Sequence, residues 1–479
     1  MPQVIIDQSP LYTILPVGQQ VIFAISQPTL VATMFKVKFI AEVHVSNTAI
    51  NLSSVTDVVG TFKTTPNNAG VGIFDFRPIL ETFVNPDNLG ATTGNGSRYK
   101  TSSVPHPIHL IDKYSQNSGS IKYFAIQFKI EYAETADGTV LGPGDGDNTG
   151  NSENSDQYSM FNGVLQYDDV LTLGEINASG TLVNGNRYGY NLTEFFPDGY
   201  PTNFLSNAPL IQYARLTDYG TFPFFNQLPF TSSFSLSGVT SMTLVYYWDG
   251  GSSTEQINQT WSAGGQTNAT SNQLCHLLYF GGFPGNLQNT STTFAAAIVS
   301  GLTHYTIKYS NVYGNVSELY TINIICPNER GYEGIRLTWL NQWGTWDYYT
   351  FNMKSTRSIN TNRTSYTQLG GTWNESSFKI AGYKGGKKNF RVNSTEKIKL
   401  NTDFVTEAEG LWFEELINSN EVYIVNGFST DAANTITNKY VEPVVLTTSS
   451  FVKKTIANDK VMQYTIEIEK SKMQRTQSV

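Results

Sequence analysis

Residues 145–156, DGDNTGNSENSD, set Asp145, Asp147, Thr149, Gly150, Glu153 and Asp156 near the one, three, five, six, nine and twelve spacing of a calcium-binding loop. Oxygen ligands in that order would wrap a hard cation. The fit is impure, because Thr149 is a poorer ligand than Asp or Asn, Asp156 is shorter than the Glu that closes such loops, and the flank VLGPG cannot be a helix. The segment therefore reads as a solvated acidic loop. Asp145, Asp147 and Asp156 are kept only as a weak calcium candidate, and no bound metal is expected.

Catalytic spacings are scarce. The five histidines, His44, His106, His109, His276 and His304, make no HExxH or other metal pattern. His106 and His109 in PHPIHL have no third ligand nearby and read as turn packing. There is no G-x-S-x-G elbow, Walker loop or G-x-G-x-x-G after a strand. Paired glycosidase carboxylates converge in space and not along the chain, so they stay open at this level. No catalytic residue and no cofactor is expected.

Two further clusters could carry binding. RLTWLNQWGTWDYYTFNMKS, residues 336–355, places Trp339, Trp343, Trp346, Tyr348, Tyr349 and Phe351 between Arg336 and Lys354. Leu337 and Trp339 share a face, residues 341–344 form a turn, and WDYYTFN returns as a strand with rings on both faces. Rings on both faces imply cover on both faces, so the hairpin reads as scaffold and not as an open carbohydrate platform. Lys384, Lys387, Lys388 and Arg391, with Lys397 and Lys399, surround a Gly-Gly turn and read as a hairpin with a solvated basic tip. That tip and the acidic loop are electrostatic opposites, able to meet across a heterologous contact in a ring of identical subunits.

The elements that position these groups are strands. The 479 residues are 39% hydrophobic and 13% aromatic but only 15% charged, below the usual quarter. Asn, Ser, Thr and Gly fill the difference, which favours short strands joined by turns. A net charge of -8 supplies no global basic field, so specific nucleic-acid binding is not expected. Cys275 and Cys326 are too few for a disulfide framework, and their redox state is left open. No secretory signal is read at MPQVIIDQSPLY, and charges interrupt the most apolar stretch, residues 21–45, so no membrane insertion is expected.

FKVKFIAEVHV alternates as a long strand from Phe35, and IKYFAIQFKIEY (121–132) does so again. Between them VGIFDF leads into a short helix from about Arg77 to Val84, with Pro78 in its first turn. The expected organisation is a β domain at 1–140, an acidic Gly/Asn/Ser-rich loop or linker at 141–158, a sandwich-like domain at 159–325, and a β domain at 326–479. The last carries a helix at about 406–419, where Thr406 and Glu409 fit a capping box and Ala408, Leu411, Trp412 and Leu416 line one face. The fold class is mainly β: a multidomain antiparallel β-sandwich or barrel architecture with one or two short helices.

Five segments in order, GVGIFDFRPILETFV, SNAPLIQYARLTDYGTFPFFN, RLTWLNQWGTWDYYTF, KLNTDFVTEAEGLWFEELINSNEVYIV and SFVKKTIANDKVMQYTIEIEKS, resemble virion structural proteins of tailed bacteriophages of the crAss-like and related Bacteroidetes or marine kind. The resemblance implies a non-enzymatic, multi-copy building block of the tail, collar ring or baseplate. It implies other copies of the chain and other tail or neck proteins as partners, synthesis in a host bacterial cytoplasm, and a final place in the virion. It brings no catalytic residues. Trp339, Trp343, Trp346, Tyr348, Tyr349 and Trp412 are then the structural or interface candidates. The rival reading is a tail protein that binds a host receptor or surface glycan, supported if YYWDGGSS or NRYGYN exposes its rings; a glycan depolymerase is weaker.

Overall fold

The computed structural model describes residues 3–52, 57–85, 100–101, 104–105, 114–117, 119–165, 192–196, 202–226, 238–258, 277–311, 314, 317–325, 331–425, 441–448, 450, 452 and 462–475. His106, His109, His276, Cys275, Cys326 and NRYGYN lie outside them. The fold is mainly β and multidomain, with several antiparallel or mixed sheets, and among the described residues no sheet closes into a barrel. Two compact units form: Met1–Ile325 with Leu340–Asp347 and Ser429–Asn438, and Cys326–Trp339 with Tyr348–Phe428 and Lys439–Val479.

In the first unit, β1 (Ile5–Gln8), β3 (Ile22–Ser26) and β6 (Val71–Asp75) make one antiparallel sheet. A second runs β2 (Ile14–Pro16), β12 (Tyr158–Phe161), β10 (Ile121–Ala133), β4 (Phe35–Ser46) and β5 (Gly60–Thr64), with β11 (Ser152–Asn154) also on β10. Phe23 and Phe74 from the first sheet and Phe39, Phe128 and Tyr158 from the second share one core. Phe23 is the hub, with ring centroids 5.5 Å from Phe128 and 5.8 Å from Tyr158. The alternation of β4 does put Phe39, Ala41 and Val43 inside, yet Ile40 and His44 on the opposite face are buried too. Tyr123, Ala125 and Ile50 form a satellite cluster.

Two short helices punctuate this part. In α1 (Pro28–Thr33) the Gln27 side chain accepts from Leu30 N at 2.8 Å. In α2 (Arg77–Leu80) Asp75 Oδ1 accepts from Arg77 N at 3.0 Å and from Val21 N at 3.1 Å. One carboxylate thereby starts the helix and fixes the preceding strand. The helix is shorter than the expected 77–84, its last turn loosening through 81–83.

The rest of the unit packs a five-stranded sheet, β13 (Ile211–Arg215), β19 (Tyr320–Ile325), β18 (Leu302–Asn311), β15 (Val239–Trp248) and β16 (Gly251–Asn258), against a three-stranded one, β14 (Phe222–Phe225), β17 (Leu277–Phe280) and β9 (Tyr114–Asn117). Rings fill the interface: Phe224 stands 5.5 Å from Tyr309 and Phe222 5.3 Å from Tyr320. Strand β9 precedes the expected linker yet pairs with β17 beyond it. Tyr114 locks that arrangement, its hydroxyl donating to Ile257 O at 2.7 Å and accepting from Met242 N at 3.0 Å. Segment 141–158 is likewise built into the first part, since β11 pairs with β10. A two-residue pair, β7 (Lys100–Thr101) and β8 (Val104–Pro105), and helices α3 (Pro284–Thr290) and α4 (Thr292–Val299) complete the unit. Phe294 of α4 packs on Tyr246 and Tyr305 at 5.4 and 5.6 Å.

The second unit is organised by a seven-stranded sheet, ordered β21 (Trp346–Phe351), β20 (Ile335–Leu340), β24 (Val422–Val425), β25 (Val441–Leu446), β26 (Thr465–Lys470), β23 (Gly386–Asn401) and β22 (Thr356–Gln368). Its helix, α5 (Glu407–Asn418), starts on a formed capping box: Thr406 N donates to Glu409 Oε2 at 2.7 Å, and Glu409 N to Thr406 Oγ1 at 3.3 Å. The buried face differs from the expected one. Gly410, Trp412, Phe413 and Leu416 point inward, while Ala408 and Leu411 are exposed. Gly410 explains the rotation, because a Cβ there would meet the Tyr464 hydroxyl at 2.6 Å, so the helix lies close to β26 on that side.

Candidate functional site

The aromatic hairpin is interior. Trp339, Trp343, Trp346 and Tyr348 are buried within the folded chain, and Tyr349 is half-buried. Trp339 meets Trp412 at 4.9 Å, and Tyr349 meets Phe413 edge-on at 4.8 Å. Burial pushes the Tyr349 hydroxyl far above its ordinary pKa, with the nearby Glu409 and Asp403 charges adding to the effect. Arg336, also buried, donates to Thr350 Oγ1 at 2.9 Å and lies 5.3 Å over the Tyr348 ring.

The turn of this hairpin belongs to the first unit and is held there by polar atoms. Asn341 Oδ1 accepts from Trp343 N at 3.0 Å and from Thr345 N at 3.1 Å, while its Nδ2 donates to Leu205 O at 3.0 Å. Ser206 Oγ donates to Asp347 Oδ1 at 2.6 Å. Trp343 packs on Phe195 at 4.3 Å. Trp339, Trp343, Trp346 and Tyr348 are therefore closed to solvent in the folded chain, and an arriving ligand would find none of these rings open.

The acidic loop is a built turn. Buried Asn148 sits at its centre, with Nδ2 at 2.8 Å from Ile130 O and 2.9 Å from Gly142 O, and accepts from Asn151 Nδ2 at 2.9 Å. Asp145 Oδ2 accepts from Gly142 N at 3.1 Å. Asp145, Asp147 and Asp156 stay on the outside. Among the described residues no group of three or more His, Cys, Asp or Glu side chains is placed to hold a metal ion.

The exposed chemistry lies on β22 and β23. Their register runs from Thr356↔Lys399 to Gln368↔Gly386, but β26 accompanies β23 only over Lys397–Asn401. From Asn362 and Asn393 outward the hairpin is a two-stranded ribbon, most of its residues exposed on both faces. At its base the charges are paired: Arg357 with Glu333 (2.8 Å) and Glu396 (3.3 Å), Lys470 with Glu396 (3.4 Å) and Glu442 (3.3 Å). Toward the tip Arg363, Lys379, Lys384, Lys387, Lys388 and Arg391 have no carboxylate partner among the described residues.

The tip between the strands is itself folded. Thr372 N donates to Lys379 O at 3.1 Å and Thr372 Oγ1 accepts from Lys379 N at 2.8 Å. Trp373 leans on Phe378 at 5.1 Å and donates from Nε1 to Gly370 O at 2.6 Å. Gly371, at φ +85°, allows this closure, since a Cβ there would strike Phe378 at 2.4 Å. Trp373, Ile380 and Tyr383 are 69%, 85% and 75% exposed. The basic cluster is thus legible in the sequence, but its apolar companions are missed. Their signal is THE absence of an apolar period in TRSINTNRTSYTQ, which marks a strand with no core to face.

A second exposed surface is the outer face of the five-stranded sheet. Tyr247 stacks flat on His304 at 4.7 Å, and Tyr213 and Ile211 stand open at the β13 edge. Of the YYW triplet, Tyr246 is buried and only Tyr247 and Trp248 are half-exposed.

No protein-family model and no curated protein matches this chain. Among solved structures, the native conformation of E. coli alpha-2-macroglobulin aligns at 6% identity over 83% of this chain and 22% of that one, with a TM-score of 0.18. Salmonella alpha-2-macroglobulin reacted with methylamine aligns at 7% identity over 84% and 22%, with a TM-score of 0.16. The chain spans about a fifth of the length of those proteins, and likeness at this level carries no argument about fold or function.

Proposed function

We propose that this chain is a non-enzymatic structural subunit of a tailed-phage virion, a multi-copy building block of the tail, collar ring or baseplate that acts by assembly. The observation that carries the reading is the β22–β23 ribbon. A two-stranded hairpin is marginal in water, and this one holds a pre-folded apolar tip away from any core of its own unit. Such a device gains its stabilisation by burial against another molecule, where a few rigid aromatic anchors dominate the energy. The sequence resemblance to virion structural proteins supplies the setting. The pairing of β23 with β26 over Lys397–Asn401 then serves as the base that holds the ribbon.

One observation favours a second reading. Tyr247 on His304, with Tyr213 open at the same sheet, is a surface on which a sugar ring could stack, as a receptor-binding or glycan-binding tail protein would require. Two measurements separate the readings. Native mass spectrometry of the full chain across concentrations reads assembly directly, and a glycan array reads the alternative. Oligomers with no glycan retained support the structural subunit; a monomer that retains glycan, and loses it on Tyr247→Ala, supports the binder.

A further inference from the structure

Charge on this chain is segregated. Residues 361–393 carry six cations against Glu375 alone, a net +5, so a chain of net charge -8 leaves -13 on everything else. The base of the ribbon satisfies its charges in pairs with Glu333, Glu396 and Glu442, while the distal cations meet no carboxylate among the described residues. Lys388 Nζ donates to Tyr383 O at 2.8 Å, and Arg391 Nε to Asn393 Oδ1 at 3.3 Å, so two of them are held in place by neutral acceptors. Beyond Asn362 the ribbon projects about 20 Å at the usual strand rise, with the Trp373–Phe378 pair and Ile380 at its end.

We infer that this ribbon is an exchange arm that docks on the acidic surface of a second copy of the chain. Its apolar tip is buried there, and its distal cations face carboxylates that include Asp145, Asp147 and Asp156. The inference rests on the assembly reading and adds its partner and its surface. Charge complementarity selects the occupant. An arm of +5 repels its own kind and is drawn to a body of -13, and every further copy offers the same pairing, which is a heterologous contact that closes into a ring or continues as a stack. The acidic loop suits the role because Asn148 and Asn151 hold its backbone rigid while its carboxylates stay outside.

The test uses the full chain with p-benzoylphenylalanine replacing Ile380, prepared as a mixture of unlabelled and nitrogen-15-labelled protein and irradiated. Mixed-isotope cross-links from position 380 to peptides spanning 141–158 are expected. The reversal Lys384→Glu/Lys387→Glu/Lys388→Glu/Arg391→Glu should weaken self-association about 10-fold or more, and adding Asp145→Lys/Asp147→Lys/Asp156→Lys should restore much of it. Oligomers that form with cross-links only inside one chain, or that ignore the reversal, overturn the arm while leaving assembly standing. A chain that stays monomeric throughout overturns both. Arm-dependent binding to phosphatidylglycerol vesicles or duplex DNA, without self-association, also overturns it.

Discussion

A Cβ built on Gly344 would lie 1.8 Å from the carbonyl oxygen of Asn162, a distance no side chain tolerates. Gly344 also holds φ at +69°, so the turn of the aromatic hairpin demands glycine for its conformation and for its neighbour. Gly344→Ala should cost about 2–4 kcal/mol, combining left-handed strain with displacement of backbone. Urea unfolding followed by tryptophan fluorescence checks it; a change below about 0.5 kcal/mol would mean the turn is not held as described.

Trp412 and Trp373 offer a matched contrast. The first is buried against Trp339 and Phe413, the second is exposed on the arm. Trp412→Ala should lose about 3–5 kcal/mol, whereas Trp373→Ala should lose less than about 1 kcal/mol in the isolated chain. Equal losses would place the two rings in equivalent settings and contradict the division between base and arm.

Among the described residues Glu318 is the acid whose setting departs most clearly from water. Burial pushes its carboxyl up to about 7, with the neighbouring Glu194 charge adding and the donated Phe204 N–H, at 3.0 Å, opposing. The buried Tyr309 and Tyr320 hydroxyls lie within reach of its charge. The folded value stands above the unfolded one, so the contribution is complete below pH 4.5 and is lost as pH rises through about 7. Stability should fall between about pH 5 and 8 by about 1–2 kcal/mol after allowance for partial solvent screening. Glu318→Gln should remove that slope and be the more stable protein at pH 8. A variant with the parent's pH dependence would contradict the assignment.

Assembly through the arm should also respond to salt. Raising ionic strength from about 0.05 to 0.5 M shortens the screening length severalfold, and sedimentation velocity should show a shift toward smaller species. Association that strengthens over that range would instead point to an apolar contact with no part for the arm's cations.

Much of this architecture is legible along the chain because it is local. The β4 and β10 periods, the turn at 341–344 and the Thr406–Glu409 cap are each set by neighbours a few residues away. Strand partnership is not local. Nothing in YSQN announces that it will pair with LLYF more than 150 residues later, nor that β13 will lie parallel to β19. The inward face of α5 is rotated from expectation because Gly410 answers to Tyr464, a residue just before β26 and far along the chain. Among the candidate residues, Trp339, Trp343, Trp346 and Tyr348 read along the chain as rings covered on both faces, and they are buried in the folded chain, but the elements that cover them are not legible there. Burial on both faces depends on elements the hairpin meets only in three dimensions. The arm shows the converse, since only its basic turn stands out along the chain while Trp373, Ile380 and Tyr383, which draw no reading there, prove exposed.

Imaging of the intact particle at side-chain detail tests the central proposal most directly. Several symmetry-related copies in the tail, collar or baseplate, each with residues 369–385 seated on the next copy, is the predicted result. A purified virion without the chain, or a single copy whose arm stands free in solvent while a glycan lies on Tyr247, would contradict it.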